Sequence, residues 1–421
     1  MTTTRQDCLA LDAQDPLAAL RDQFDLPPGK VYLDGNSLGV LPRATAARVA
    51  DVVQREWGQG LIESWNTARW IEQPARVGDK IARLVGAAAG EVVAADSTSV
   101  NLFKVLSAAL TIAREDAPAQ RVILSERGNF PTDLYIAEAL ARERGFELVL
   151  VDAPGQVEPR LARGDVAVLM LTQVDFKSGR LHDMAALSSA AHAHGTLALW
   201  DLAHSAGALP VDLNRDGADF AVGCGYKYLN GGPGAPAFVW VHPRHAERFW
   251  QPLAGWMGHA APFAFHPAYR PAPGIARYLC GTPAVLSLAA LECGVDTVLA
   301  AERCGGMGAL RKKSLALTDL FIALVEERCA SQGLRCITPR EHALRGSQVS
   351  FARDDGAYAI VQALIARGVV GDFRAPDVLR FGFTPLYLRF VDVWDAVEHL
   401  RAVLQGGEWR EPRFHKKAAV T

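Results

Sequence analysis

Short apolar runs recur along the first two-thirds of the chain, each followed by a polar or glycine-rich turn. Seven of them, at 91–95, 121–125, 147–151, 166–171, 196–200, 220–223 and 237–241, are short and nearly all apolar. That pattern predicts strands covered on both faces. The stretches between them mostly carry helical spacing, as at 101–113 and 132–144, and the alternation predicts an α/β fold with a mostly parallel seven-stranded sheet between helices.

The flanks read differently. Residues 31–34 predict a short strand entering the turn Gly35-Asn36-Ser37-Leu38-Gly39, and 44–57 predict a helix. From 255 to 283 the chain is rich in Gly, Pro and aromatic residues without a period, which predicts a long ordered loop or an interface. Beyond it, helices are expected at 284–301, 311–329, 358–367 and 391–404, with strands at 348–351 and 378–383. We therefore expect an N-terminal arm with a segment packing on the small domain (1–65), a large domain (66–285) and a small C-terminal α+β domain (286–421). The basic tail 413–417 reads as a solvated end.

Composition narrows the function. With 44 basic and 46 acidic side chains the net charge is -2, so no field exists to steer the chain onto nucleic acid or an anionic membrane. A small-molecule substrate is expected. The seven cysteines are odd in number and lack CxxC spacing, which points to free thiols in the cytoplasm rather than disulfides or a zinc site. Asp12, Asp15 and Arg21 interrupt the opening segment where a signal peptide needs an apolar core, and no run approaches the roughly 20 apolar residues that span a bilayer. His192 and His194 fall on different faces of a predicted helix and read as surface residues, so no metal is expected.

The candidate chemistry centres on Lys227, in Gly223-Cys224-Gly225-Tyr226-Lys227-Tyr228-Leu229-Asn230-Gly231-Gly232. A lysine at the mouth of a buried strand loses hydration, which is costly unless the desolvation serves to keep the amine nucleophilic toward an aldehyde. Asp201 ends the preceding strand, where it either caps the next turn or provides a carboxylate for a protonated pyridine nitrogen. Its pairing with Lys227 favours the second role. Asp96-Ser97-Thr98-Ser99 opens a helix and reads as a plain cap or a phosphate seat. Asn129-Phe130-Pro131-Thr132-Asp133 repeats that design and adds a ring able to stack on a flat heterocycle. Thr172 ends another strand, and Gly281-Thr282 follows the aromatic loop. Arg380 sits inside an apolar strand, where either a structural salt bridge or a substrate carboxylate could balance it.

Together these segments resemble the kynureninases. The likeness is carried by Tyr32-Leu33-Asp34-Gly35-Asn36-Ser37-Leu38-Gly39, Ser64-Trp65-Asn66, 129–133, Trp200-Asp201-Leu202-Ala203-His204-Ser205-Ala206-Gly207, 225–234, Gly255-Trp256, Gly281-Thr282 and Arg380-Phe381-Gly382. It spans nearly the full chain, and the Gly35–Gly39 turn and the lysine loop are its most specific parts.

The resemblance implies a fold-type I homodimer that uses pyridoxal 5'-phosphate to hydrolyse L-kynurenine to anthranilate and L-alanine in tryptophan catabolism. It implies that the large domain binds the cofactor, with Lys227 carrying it as a Schiff base and taking the Cα proton. Asp201 and Asp133 would face the ring nitrogen, with Phe130 against the ring and His204 and Thr172 lining it. Ser97, Thr98 and Tyr226 would hold the phosphate, and Tyr226 is also the candidate acid or base at the substrate's γ-carbonyl. Trp256 and Thr282 would reach in from the partner subunit. For the substrate, Arg380 would clamp the α-carboxylate and Asn36, Ser37 and Trp65 would border the aryl end, with 3-hydroxykynurenine a weaker substrate. Two rivals remain: a cysteine desulfurase or related β-lyase, for which Cys329 and Cys336 are poorly placed, and a cofactor-binding regulator, for which no DNA-binding segment is evident.

Overall fold

A computed structural model describes residues 3–417, so 1–2 and 418–421 of the expected terminal segments lie outside the described residues. The seven apolar runs form one sheet. Strands β1 (Val92–Ala94), β2 (Val122–Glu126), β3 (Glu147–Val151), β4 (Val166–Thr172), β5 (Leu197–Asp201), β6 (Phe220–Gly223) and β7 (Phe238–Val241) lie in the order β1-β7-β6-β5-β4-β2-β3. Neighbours pair in parallel from β3 across to β6, and β7 is antiparallel to both of its neighbours.

Alternate residues of each strand divide between two cores. In β4, Val168 and Met170 enter one core while Leu169 and Leu171 enter the other, as the two-residue period of a strand requires. Burial on both faces is why β4 is apolar up to Leu171 and β6 carries no polar side chain, whereas edge strand β3 is only partly covered. Helices Thr98–Asp116, Pro131–Arg144 and Met184–Ala193 fill connections between strands.

The C-terminal part is built on a four-stranded antiparallel sheet of Arg335–Cys336, Gln348–Ala352, Asp372–Arg374 and Val378–Gly382. Helices Gly306–Arg328, Ala357–Ala366 and Phe390–Gly406 accompany it. Val31–Tyr32 adds a parallel pair to Val369–Val370, and Asp34 bridges to Gly382. The opening turn is thereby anchored to the last strand of the chain. The short strands Arg335–Cys336, Val369–Val370 and Asp372–Arg374 show no period of their own and were not expected.

Two local expectations need correction. The helix expected over 44–57 is α-helical at Arg43–Asp51 and continues as a π-helical turn at Val52–Trp57. The basic tail is not wholly solvated, because Phe414 is buried. Among the described residues no helix is long and apolar enough to cross a membrane.

Candidate active site

Strands β1, β2, β4, β5 and β6 run in one direction, so the loops after them open on one edge of the sheet, where open α/β sheets bind ligands. Five of the expected loops meet there. A cavity of about 120 Å³ is lined by Ser97, Thr98, Phe130, Asp133, Thr172, Asp201, His204, Tyr226 and Lys227 among others. Ser97, Thr98 and Tyr226 also line a larger neighbouring cavity of about 370 Å³, with Thr282 on its wall.

Lys227 is half-buried, and its Nζ lies 2.9 Å from His204 Nε2 and 5.8 Å from the centre of the Tyr226 ring. The loop carrying it is pinned by the opening turn: Gly39 N–H donates to Tyr226 C=O at 2.7 Å. A Cβ on Gly39 would stand 2.5 Å from the Lys227 carbonyl oxygen, so only glycine permits this approach.

Asp201, buried at the end of β5, accepts from Ala203 N–H at 2.8 Å. Asp133 occupies the first turn of Pro131–Arg144 and is also buried. Burial first, then the charge of Asp201, holds the Asp133 carboxyl well above the usual carboxylate range, as two acids sharing a dry site require. Asp201 is also raised, by burial, while Lys227, the Ala203 N–H and Asp133 draw it back down. Asp133 Oδ2 is buried without a hydrogen-bond partner.

His204 is pushed well below its usual range by burial and by the positive charges of Lys227, Arg380 and Arg374. Thr172 hydroxyl donates to Asn129 Oδ1, which also accepts from Phe130 N–H at 2.7 Å. The Phe130 ring meets Phe176 edge-on at 5.4 Å. Ser97 caps Thr98–Asp116, its Oγ accepting from Val100 N–H at 3.3 Å, so its side chain is already engaged at the helix start. Burial raises the Tyr226 phenol to about 12, which keeps it a proton donor at neutral pH.

Other expected residues are arranged differently. Asn36 and Ser37 stand together, but Trp65 is not with them: its ring packs against Trp70 at 6.2 Å and Trp256 at 6.4 Å. Trp256 also meets Phe263 and Phe265 and lines neither cavity above. Thr282, in contrast, reaches the larger cavity within its own chain. Ser37 joins the arginine: its hydroxyl donates to Asp372 Oδ2 at 2.7 Å and accepts from Arg380 Nη2 at 2.8 Å. Arg380 also donates to Asp372 through Nε and Nη2 and to Phe176 C=O through Nη1 at 2.6 Å. The salt bridge left open as one reading of Arg380 is therefore formed.

Sequence reasoning missed Asp372, Arg374, Gln348 and Lys104. Arg374 also donates to Asp372 Oδ2, at 2.6 Å. Lys104 is fully buried and joins Asp96 Oδ2 at 2.5 Å to the Tyr278 carbonyl at 2.6 Å. A lysine inside the apolar helical stretch 101–113 was the one available signal. His192 is exposed, as expected of a surface residue, and its Nε2 also lies 2.8 Å from the buried Asp219 Oδ2.

The cavity suits pyridoxal 5'-phosphate. An orphaned buried carboxyl oxygen, a lysine amine and the open start of a nineteen-residue helix at Thr98 match a ring nitrogen, an aldehyde and a phosphate. The fold and this set of residues define a fold-type I pyridoxal-phosphate enzyme. The structure is similar to a cysteine desulfurase from Thermococcus onnurineus NA1 (TM-score 0.77, 17% identity, 92% of this chain and 98% of that one). It is likewise similar to a variant of C-DES with glycine covalently linked to its PLP cofactor (TM-score 0.79, 18% identity, 90% and 98%). In sequence it is 58% identical to a kynureninase of Burkholderia pseudomallei strain 1106a over 99% of this chain and 100% of that protein. It is 56% identical to the Pseudomonas fluorescens kynureninase over the full length of both, and residues 310–400 match the kynureninase C-terminal domain. The chain belongs to the kynureninase family.

Proposed function

We propose that this protein hydrolyses L-kynurenine to anthranilate and L-alanine in tryptophan catabolism, using pyridoxal 5'-phosphate. Full-length identity of 56–58% to kynureninases carries the reading. The convergence of Lys227, Asp201, Asp133 and His204 on one cavity supports it.

When bound, the cofactor supplies an electron sink conjugated to the substrate Cα. Lys227 would hold the cofactor through its aldehyde and move the proton at Cα. Asp201 and Asp133 would stand toward the ring nitrogen and balance its charge. The backbone N–H groups at Thr98, with Tyr226, would bind the phosphate. Arg380, steadied by Asp372 and Ser37, orients the α-carboxylate. Tyr226 donates a proton at the γ-carbonyl oxygen as water adds to that carbon, and its phenolate takes back the proton that the added water gives up.

The finer parts of the proposal have their own support. The protein works as a homodimer: Trp57, Ile62, Phe263 and Phe265 are more than half exposed, an apolar surface of the kind that marks an interface. Trp256 then serves the partner's site, and with Trp65 it borders the aryl end, where 3-hydroxykynurenine is accepted more weakly. The chain divides into 1–65, 66–285 and 286–421, consistent with the pairing of Val31–Tyr32 to Val369–Val370. The seven free cysteines suit the cytoplasm.

Incubation with L-kynurenine, followed by anthranilate fluorescence, tests the reading. Release of sulfide from cysteine without anthranilate overturns it in favour of a desulfurase. That outcome is not expected, because neither Cys329 nor Cys336 lines the cavity of Lys227.

A further inference from the structure

Gln348 opens a strand of the C-terminal sheet, yet its side chain reaches across to the lysine site. It is buried, and so is His204. Four contacts from three segments fix its amide. The Nε2 group donates to the carbonyl oxygens of Phe176 at 3.1 Å and Asp175 at 3.5 Å. Oε1 lies 3.1 Å from His204 Nδ1 and accepts from Asn36 Nδ2 at 3.5 Å. Turning the amide over would set its oxygen against two carbonyl oxygens, which have no proton to offer. Gly179 keeps the passage clear, since a Cβ there would stand 2.6 Å from Gln348 Cγ.

The orientation of the amide decides the state of the imidazole. An acceptor faces Nδ1, so Nδ1 carries the hydrogen and Nε2 keeps its lone pair. That lone pair lies 2.9 Å from Lys227 Nζ, a group able to donate. The charged groups acting on the ring are Lys227, Arg380 and Arg374, all cationic, so nothing among them favours a second proton. We propose that Gln348 is a positioning residue: it locks His204 as the neutral Nδ1–H tautomer, whose Nε2 accepts from and aims the Lys227 amine. Because Gln348 comes from the C-terminal sheet and His204 from the large sheet, the lysine is aimed only when the two parts are docked. The role given to Lys227 rests on the function proposed above.

The test is NMR of isotope-labelled histidine in the cofactor-free protein, with the His204 signal assigned by its loss in His204→Asn. In the unaltered protein the ring should be neutral with its hydrogen on Nδ1. Gln348→Met keeps the length of the side chain and removes the acceptor. It should release the ring into a mixture of tautomers and, in the holoenzyme, lower kcat roughly 10- to 100-fold, the scale for partners that orient a functional group, with a smaller change in KM. Gln348→Glu restores an acceptor and adds negative charge, so Nδ1 should stay protonated while the ring titrates roughly one pH unit or more higher. A hydrogen on Nε2 in the unaltered protein, or an unchanged tautomer in Gln348→Met, overturns the proposal. If Gln348→Met does not fold, an unmoved titration in Gln348→Glu overturns it instead. These ring states are read without substrate, so a protein that shows them but makes no anthranilate refutes the assigned reaction and leaves the positioning role standing.

Discussion

Arg380 rests its Nε and Nη2 on the two carboxylate oxygens of Asp372, and both side chains are almost wholly buried. Arg374 shares the same carboxylate, and its Nε is buried without a partner. Two guanidinium groups thus converge on one acid beside Ser37, with the Asp34 carboxyl near enough to act on Arg374 as well. Replacing Asp372 with Asn leaves both cations underpaired. We expect a loss of about 3–5 kcal/mol of stability, the scale for breaking a buried pair from one side, measured by urea unfolding of the cofactor-free protein.

Arg380→Lys keeps the charge and loses the fork that spans Asp372, Ser37 and the Phe176 carbonyl. A charge-assisted contact is worth about 1.5–3 kcal/mol, so KM for kynurenine should rise on the order of 10- to 100-fold. Steady-state kinetics decides it, and an unchanged KM removes Arg380 from the carboxylate site.

Lys227→Ala should abolish both the visible absorbance of the lysine-bound cofactor and turnover. Cofactor titration followed spectrophotometrically, with the anthranilate assay in parallel, checks both. Full activity in this variant would refute the assignment.

Tyr226→Phe should lower kcat by about 10² to 10⁴ if the phenol transfers a proton. With the phenol raised to about 12 by burial, its proton is present throughout the neutral range. Activity that depends on it is lost only as pH climbs toward that value, so Tyr226 should add no alkaline limb to the rate profile below about pH 10. A near-normal rate in the Phe variant leaves Tyr226 as a phosphate ligand alone.

Asp34 should leave a mark on stability against pH. Burial, with the neighbouring charge of Asp372, pushes its carboxyl up to about 7, and Oδ1 has no hydrogen-bond partner. A folded-state value above the unfolded one means the folded protein holds the extra proton. The contribution is therefore complete below about pH 4 and is lost as pH rises through about 7. Asp34→Asn should flatten this decline, by on the order of 1 kcal/mol per pH unit, in unfolding curves collected from pH 4 to 8. Identical slopes for the two proteins would show that Asp34 does not titrate in this window.

Where an element or residue carried its own local signal, it was legible beforehand. The seven strands are continuous apolar runs because both faces of the sheet are covered, and Asp201 and Lys227 stand out as polar groups at the ends of such runs. Arg380 stood out in the same way, as a charge in an apolar strand. Asp372 gave no such signal: it lies in the three-residue strand Asp372–Arg374, beside other polar residues, and acquires meaning only through Arg380. Gln348 was equally silent, because an amide at a strand start is unremarkable until its partners are known.

The sequence by itself determined the sheet, the loops that carry the cofactor site and the family to which the chain belongs. Each of these rests on local pattern: period, strand-end chemistry and short motifs that survive without knowledge of distant neighbours. Only the tertiary structure decided which side chains meet one another: Asp133 buried near the charge of Asp201, Ser37 joining Arg380 and Asp372, and Gln348 meeting His204 beside Lys227. Burial makes every polar group depend on a specific partner, and the partners here come from segments as distant as residues 36, 176, 204 and 348. A linear pattern contains the groups but not their pairing.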